Sequence, residues 1–561
     1  MSEISTGTVT QSGSTTFVSG TSSGLNTAAL IENAVASNNA DADEIDIQVQ
    51  ENDLKISAYE ELYGLAQNIQ DSLASLKSST SFLDDAKNVF VQRTGDLSSN
   101  GASPTGLIDV GIEEGAALGS YSIVVEQKAE AFSIGSTAIT DQTADLGFTG
   151  SFTLGLAGYT DEQIDVTATD SLQDIADTIN ALSATSGVSA SILKVSETDY
   201  QLIITGTDTN QAMSASTLSG DVLQNLGIVD VGDSFEAAQI IQNEQGSRIL
   251  LGGATITRDD NSYDDLIDGV TIDIKTADAG TTITLAIDND IATSKDAILD
   301  LIDTYNAFRE FVMINQEVGA DGTVPDTAIL FSDSILDTLS YSISSMLSSA
   351  TGDGDAGSLR NLGINFDLNN RLVLDDEAAL DNALLNDFDN VANFFSTDVD
   401  IDNSEMAVIS NTSQQSSLEF SIDIVTDVDG NITSAQVGGA SPFTINGTRL
   451  IGNAGTAYEG LTFAYAGTTD TSVAISLNAG LSDLLYNAIE GYTNPNGIIQ
   501  DEITQFQDEN IDFEVEAGEI RARGEEIRED EIAKYALMEA KLSSLDSLLN
   551  TIRALLGTND D

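Results

Sequence analysis

YALMEAKLSSLDSLLNTIRALL, residues 535–556, decides the fold. Its apolar residues Tyr535, Met538, Leu542, Leu545, Leu549, Ile552 and Leu556 recur three and four apart without a break. That spacing keeps one narrow apolar seam on one side of a helix, and so narrow a seam requires a partner helix. The other end of the chain carries a second such run: Ile45, Val49, Ile56, Tyr59, Tyr63, Ile69, Leu73 and Leu76. Its heptad slips by one residue between Tyr63 and Ile69, which predicts a break or bend near Gly64. The upper parts of the two seams are expected to pair inside the chain and the extreme ends to meet other subunits. On that basis Tyr59, Ile69, Leu73 and Leu76 join the seven C-terminal seam residues as the candidate coiled-coil and assembly interface.

Between the seams the period changes. LGSYSIVVEQK (118–128) predicts a strand bounded by Gly119. Residues 150–229 predict strands around a short amphipathic helix, SLQDIADTINAL, capped by Ser171. Further on, Ile272 and Ile274 match Ile283, Leu285 and Ile287 in alternation, which predicts a hairpin turning at Ala279-Gly280. Helical spacing returns with Ile298, Leu301, Ile302, Tyr305, Phe308 and Val312, and again with Ile335, Leu336, Leu339, Ile343 and Leu347. A third face, Leu380, Leu384, Phe388, Val391 and Phe395, follows an expected cap at Asp375. SIDIVTDVDGNITSAQV predicts a hairpin at Asp429-Gly430 within a second β-rich block.

The fold class is therefore α+β and multidomain. Helical coiled-coil and bundle legs are built from both termini and a middle segment, with β-rich head domains inserted. The expected division is an N-terminal segment (disordered over 1–24) and helical leg, 1–92, then a β-rich head, 93–294. Within the head, 93–138 joins 230–294 around an inserted subdomain, 139–229. A helical bundle (295–402), an additional β-rich domain (403–480) and a C-terminal coiled coil (481–561) complete it.

Composition narrows the function. With 20 Lys+Arg against 91 Asp+Glu the formal net charge is −71, a surface that repels phosphate backbones and anionic lipid. The acidity fits either work in a saline medium or simple solubility. Cys, His and Trp are absent, so disulfides, thiolate chemistry, Ser-His or Cys-His dyads and N/S zinc sites are excluded. MSEISTGTVTQSGSTTF has neither the basic nor the apolar region of a cleavable signal peptide, and no apolar run approaches the ~20 residues that span a bilayer. Asp427, Asp429 and Asn431 lack EF-hand spacing, and Gly352 to Asp355 lack a calcium-roll repeat, so both read as turns. Gly252-Gly253 has no Lys-Ser/Thr after it, so no phosphate loop is expected. No catalytic, cofactor or metal residues are assigned. A carboxylate glycosidase is the only enzyme chemistry the composition permits, and it has weak support.

Several stretches resemble the flagellar filament cap (flagellar hook-associated protein 2) family, in the right order and through most of the length. SSGLNTAALIENAVASNNA (22–40) is similar to its N-terminal segment, with Asn26 where that family has Asp, and SAYEELYGLAQNIQDSLASL (57–76) to its leg helix. GAALGSYSIVVEQKAEAFSI (115–134) and NSYDDLIDGVTIDIKTADAGTTITLAIDNDIATSKDAILDLIDTYNAF (261–308) are the most specific matches, the second ending in Tyr305-Asn306-Ala307. DSLQDIADTINA, GVSASI and YQLIITG (170–206) resemble a module shared with flagellins. SLRNLGINFDLNNRLVLDDEAALDNALL (358–385) resembles the end of the middle bundle, and YALMEAKLSSLDSLLNTI (535–552) the C-terminal coil, with Leu542 where an aromatic is usual.

The resemblance implies a non-enzymatic protein with no cofactor, exported unfolded and acting at the filament tip. It implies a homo-oligomeric ring of about four to six subunits, closed because closure avoids open-ended growth. Flagellin, hook-associated junction proteins and an export chaperone are the implied partners, without nucleic acid or membrane insertion. Another axial component, a hook–filament junction protein or a flagellin, remains an alternative, as does a filament-tip adhesin using 403–480.

Overall fold

The computed structural model describes residues 8–12, 15–19, 22–78, 88–350, 356–413 and 415–556. Two compact units emerge, Asn88–Ser294 and, separately, Met1–Lys87 with Lys295–Asp561.

Asn88–Ser294 is β-rich and holds two cores. One lies beneath a five-stranded antiparallel sheet, in the order Ala254–Arg258, Ser247–Leu251, Gly119–Gln127, Asp278–Asn289, Arg93–Ser99. A three-stranded sheet of Ser262–Ile267, Val270–Ile274 and Ile108–Ile112 contributes to the same core. Ile123, Val125, Ile249, Tyr263, Ile272, Ile283, Leu285 and Ile287 fill it. The expected hairpin at Ala279-Gly280 does not form. Val270–Ile274 pairs with Ile108–Ile112 and Ser262–Ile267, while Asp278–Asn289 pairs in the other sheet. Alternation fixed which side chains turn inward, and the inward faces of both sheets share one core, so partner choice was not encoded in it.

The second core belongs to residues 132–240. Here α2 (Leu172–Ala181) is held by a reciprocal capping box between Ser171 and Asp174. It buries Leu172, Ile175 and Ile179 with Phe152, Leu154, Ile164, Leu202 and Ile204 of two small sheets. The chain enters and leaves this lobe side by side, through an antiparallel bridge of Glu130 with Gln245.

In the other unit, α1 (Thr27–Ala74) begins where the Asn26 side chain accepts the Ala29 N–H at 3.2 Å. It runs unbroken through Gly64, against the expected bend, because buried Leu62, Ala66 and Ile69 keep packing on both sides of that glycine. Residues 1–24 were expected to be disordered. Of these, Thr8–Ser12 and Thr15–Ser19 pair as an antiparallel hairpin, the Thr- and Val-rich composition favouring strand. Residues 1–7, 13–14 and 20–21 lie outside the description.

α3 (Ile291–Asn315) carries the Tyr-Asn-Ala sequence. The Asn306 side chain mimics a strand, donating to the Leu372 carbonyl and accepting the Leu372 N–H, each at 2.8 Å. Tyr305, its phenol pushed up to about 12 by burial, donates to the Asn370 carbonyl at 2.8 Å. α4 (Ser334–Ser349) is capped by Asp333. The third apolar face is two helices, α5 (Glu377–Asn386) and α6 (Phe388–Phe395), because Asp387 leaves the helical conformation between them. The cap of α5 is Asp376, one residue beyond the expected Asp375, whose carboxylate instead accepts from Asn365 Nδ2 at 2.8 Å.

A β block follows, two four-stranded sheets around Ile422, Leu450, Phe463, Tyr465, Val473 and Leu477. Its predicted turn is present: Gly430 has φ +82° and Asp427 Oδ1 accepts the Asp429 and Asn431 N–H groups at 2.9 Å. Beyond it come α7 (Leu481–Thr493) and the 59-residue α8 (Ile498–Leu556), separated by Pro495.

Candidate assembly interface

α1 and α8 form a long antiparallel stem. Ile31 packs with Ile532, Asp53 meets Asn510 and Tyr59 lies against Phe506, and beyond the start of α8 Gln70 of α1 receives the hydroxyl of Thr493 on α7 at 2.7 Å. The stem is not apolar throughout. Towards α7, Tyr59, Leu62, Ile69, Leu73 and Leu76 are fully buried. Four predicted interface residues, Tyr59, Ile69, Leu73 and Leu76, are thus spent on the chain's own core and offer nothing to another subunit. Their seam is internal, as expected for the upper parts of the coiled coil. Burial, and the Asp333 carboxylate to which it donates, push the Tyr59 phenol far up. Burial also raises the neighbouring Glu502 carboxyl, with Asp333 and Glu509 adding repulsion.

Further along, the seam thins to small and polar residues. Ala42 packs on Ala517 and Ile520, and at Gly524 a Cβ would fall 2.4 Å from Asn39 Oδ1, so a larger residue there would have to displace the Asn39 side chain. Asn38 Nδ2 donates to the Ile520 carbonyl at 2.9 Å. Asn52 and Asn510 are buried on facing helices. Asn510 Nδ2 reaches Asp53 at 2.8 Å, while Asn52 Nδ2 and Asn510 Oδ1 have no partner. Arg521 pairs with Asp43 and Asp46, and one heptad on Arg528 pairs with Glu32. Arg528 holds the Glu32 carboxyl below its ordinary range. These exposed pairs fix alignment more than stability.

Near the far end, the buried Glu539 carboxylate accepts the Ser22 N–H at 2.9 Å, the Ser23 N–H at 3.3 Å and the Ser23 hydroxyl. Tyr535 packs on Ile31, Val35 and Ile532; Met538 and Leu542 are half-buried. Past them the seam loses cover. Leu545 is 59% exposed, with Leu549 and Ile552 at 46%; the side chain of Leu556 lies outside the described residues. The predicted C-terminal interface therefore divides: Tyr535 is occupied within the chain, while Leu545, Leu549 and Ile552 present a bare apolar stripe. Sequence reading missed Glu539, Ala42, Ala517, Gly524 and the two asparagines. Small residues continuing the three-four spacing were the available signal.

Among the described residues no three acidic, His or Cys side chains converge to hold a metal ion, and no helix is long and apolar enough to cross a membrane.

Residues 245–547 match the flagellar hook-associated protein 2 C-terminus family and residues 23–131 its N-terminus family. The chain belongs to the flagellar hook-associated protein 2 family. Within it, residues 151–208, the lobe built around α2, also match the flagellin hook IN motif. The B-type flagellar hook-associated protein 2 of Pseudomonas aeruginosa is 26% identical over 327 residues, 55% of this chain and 67% of its own length. Flagellar hook-associated protein 2 of Escherichia coli O157:H7 is 26% identical over 361 residues, 62% of this chain and 73% of its own. The crystal structure of the D1-D2-D3 domains of the E. coli flagellar cap protein FliD superposes with a TM-score of 0.50 at 19% identity. It covers 80% of this chain and 99% of that one, a likeness of fold.

Proposed function

We propose that this chain caps the flagellar filament at its distal end, as a homo-oligomer that holds arriving flagellin and guides its insertion. Membership of the hook-associated protein 2 family, matched in both the leg and head regions, carries the reading. The stem supports it: a helix whose last turns present Leu545, Leu549 and Ile552 to solvent is built to be covered by another molecule. The role is structural, without enzyme chemistry. Its finer features are a ring of about four to six subunits, export as an unfolded chain with a dedicated chaperone, and an extracellular position next to hook-associated junction proteins. We assign 1–92 and 481–561 to the legs, 93–294 to the head, 295–402 to the bundle and 403–480 to an added β domain. The family match favours the cap over another axial component. A tip adhesin lacks support, since no exposed aromatic cluster marks the β block among the described residues.

Deletion of the gene tests the proposal. Flagellin should be exported but remain unpolymerised, leaving short or missing filaments, and the intact gene should restore swimming. Normal filaments in a deletion strain that expresses no paralogue would overturn it.

A further inference from the structure

The middle of the stem is inverted. Its seam carries Asn52 and Asn510 with unpartnered amide atoms, while large apolar side chains point outward at the same level. On α1, Ala40, Ile47 and Leu54 are exposed and seven residues apart, midway between the seam residues and so on the opposite side of the helix. On α8, Val515 and Ala522 are likewise seven apart and opposite the seam, flanked by exposed Ile511 and Gly518. Ile47 is 56% exposed and Val515 59%.

The stem's register gives these two stripes a common height. Asn39 meets Gly524 and Asp53 meets Asn510, which sets Ala40 beside the level of Ala522 and Ile47 beside that of Val515. In a ring every copy stands at the same height, so a stripe on one helix can meet only what lies level with it on the neighbour. Charge agrees. Arg523, next to Ala522, is exposed and has no ion pair among the described residues. Asp41 and Glu44, flanking Ala40 and Ile47, are exposed acids equally without one. An acidic chain has few cations to leave idle.

We propose that the stems of neighbouring copies meet side by side, the Ala40–Ile47–Leu54 stripe of α1 seating on the Val515–Ala522 stripe of the next copy's α8. Small residues meet at Ala40 and Ala522, large ones at Ile47 and Val515, over about 10 Å of helix. Arg523 bridges to Asp41 or Glu44 across the contact. The inference rests on the oligomeric cap reading.

Because the chain has no cysteine, introduced thiols report only themselves. Full-length Ile47→Cys and Val515→Cys chains would be mixed at high salt and oxidised, with Val428→Cys, at a fully exposed turn, as the collision control. The mixed 47–515 dimer should exceed either homodimer and the control pairing at least fivefold. In parallel, Ile47→Ser with Val515→Ser should raise the concentration for half-assembly at least tenfold in sedimentation. An oligomer that forms normally without the mixed cross-link, or with homodimers dominant, overturns the stem contact and leaves the cap reading intact. A strict monomer at every salt and protein concentration overturns both.

Discussion

Asp483 should prove the pin of the helical unit. It lies in the first turn of α7, 2% exposed. Its carboxylate accepts the Ser78 N–H at 3.1 Å, the Ser78 hydroxyl at 2.8 Å and the Thr397 N–H at 2.7 Å. Asp483→Ala strands three donors on two other segments. A fully buried donor left unpaired costs about 1–3 kcal/mol; Ser78 and Thr397 are half-buried and recover part of that from water, so about 1 kcal/mol each gives about 3 kcal/mol in total. Asp483→Asn keeps an acceptor in place and should cost about 1 kcal/mol. Hydrogen exchange is the sharpest assay: the Ser78 and Thr397 amides should exchange on the order of a hundredfold faster in the alanine variant, with the helical urea transition shifted and the β head unmoved. Burial raises the Asp483 carboxyl above its ordinary 3.8, outweighing the hydrogen bonds that lower it. A carboxyl raised on folding contributes most while protonated. Wild-type stability relative to Asp483→Asn should therefore be greatest below pH 3.8 and fall as pH rises through the raised value. Unchanged protection in Asp483→Ala, equal costs for the two variants, or an opposite pH slope would refute the reasoning.

Leu545→Asp with Leu549→Asp puts charge on the bare stripe and should abolish swimming while circular dichroism of the head stays as in wild type; a motile double mutant would remove the stripe from cap function. Assembly should need salt, because a charge of −71 is screened over about 10 Å at 0.1 M and only about 3 Å at 1 M; sedimentation should show smaller species as salt is lowered. Asn52→Leu replaces an unpartnered buried amide and should stabilise the stem by about 1–2 kcal/mol, read as a later helical transition in urea. Its expected cost is looser register, visible as broader interhelical distances between spin labels.

Local chemistry was the most legible part of the sequence. Ser171 and the Asp429-Gly430 turn stand where their side-chain and backbone preferences place them. Both long helices announced themselves through three-four spacing. The errors share a cause: each needed information about a neighbour in space. Gly64 did not break α1 because packing through Leu62 and Ala66 outweighs glycine's roughly 1 kcal/mol preference against helix. Ile272 and Ile283 have matching alternation yet lie in different sheets, since a period of two records which face is inward and nothing about the adjoining strand. The stem's centre was unreadable because Ala42, Ala517, Gly524 and two asparagines occupy positions where only large apolar residues were sought. Tyr59 and Leu73 pair inside the chain, as the upper seam was expected to, but that α7 as well as α8 covers this stretch could not be read from spacing alone.

The β block begins and finishes at one point. Asp398 is the register partner of Asn478, Gly480 N–H donates to the Thr397 hydroxyl at 3.4 Å, and a Cβ at Gly480 would fall 2.3 Å from the Phe395 carbonyl. Two strands that start paired impose no separation on the helices they leave, so α6 and α7 would meet across a short linker much as they do now. The block behaves as a plug-in module: an insert of another length whose ends lie equally close would leave the path of α6 and α7 unchanged, at the loss of the Asn487 contact to the Ser413 carbonyl. For an engineer the same junction is a socket, where a foreign domain whose termini lie close together can be displayed on the protein.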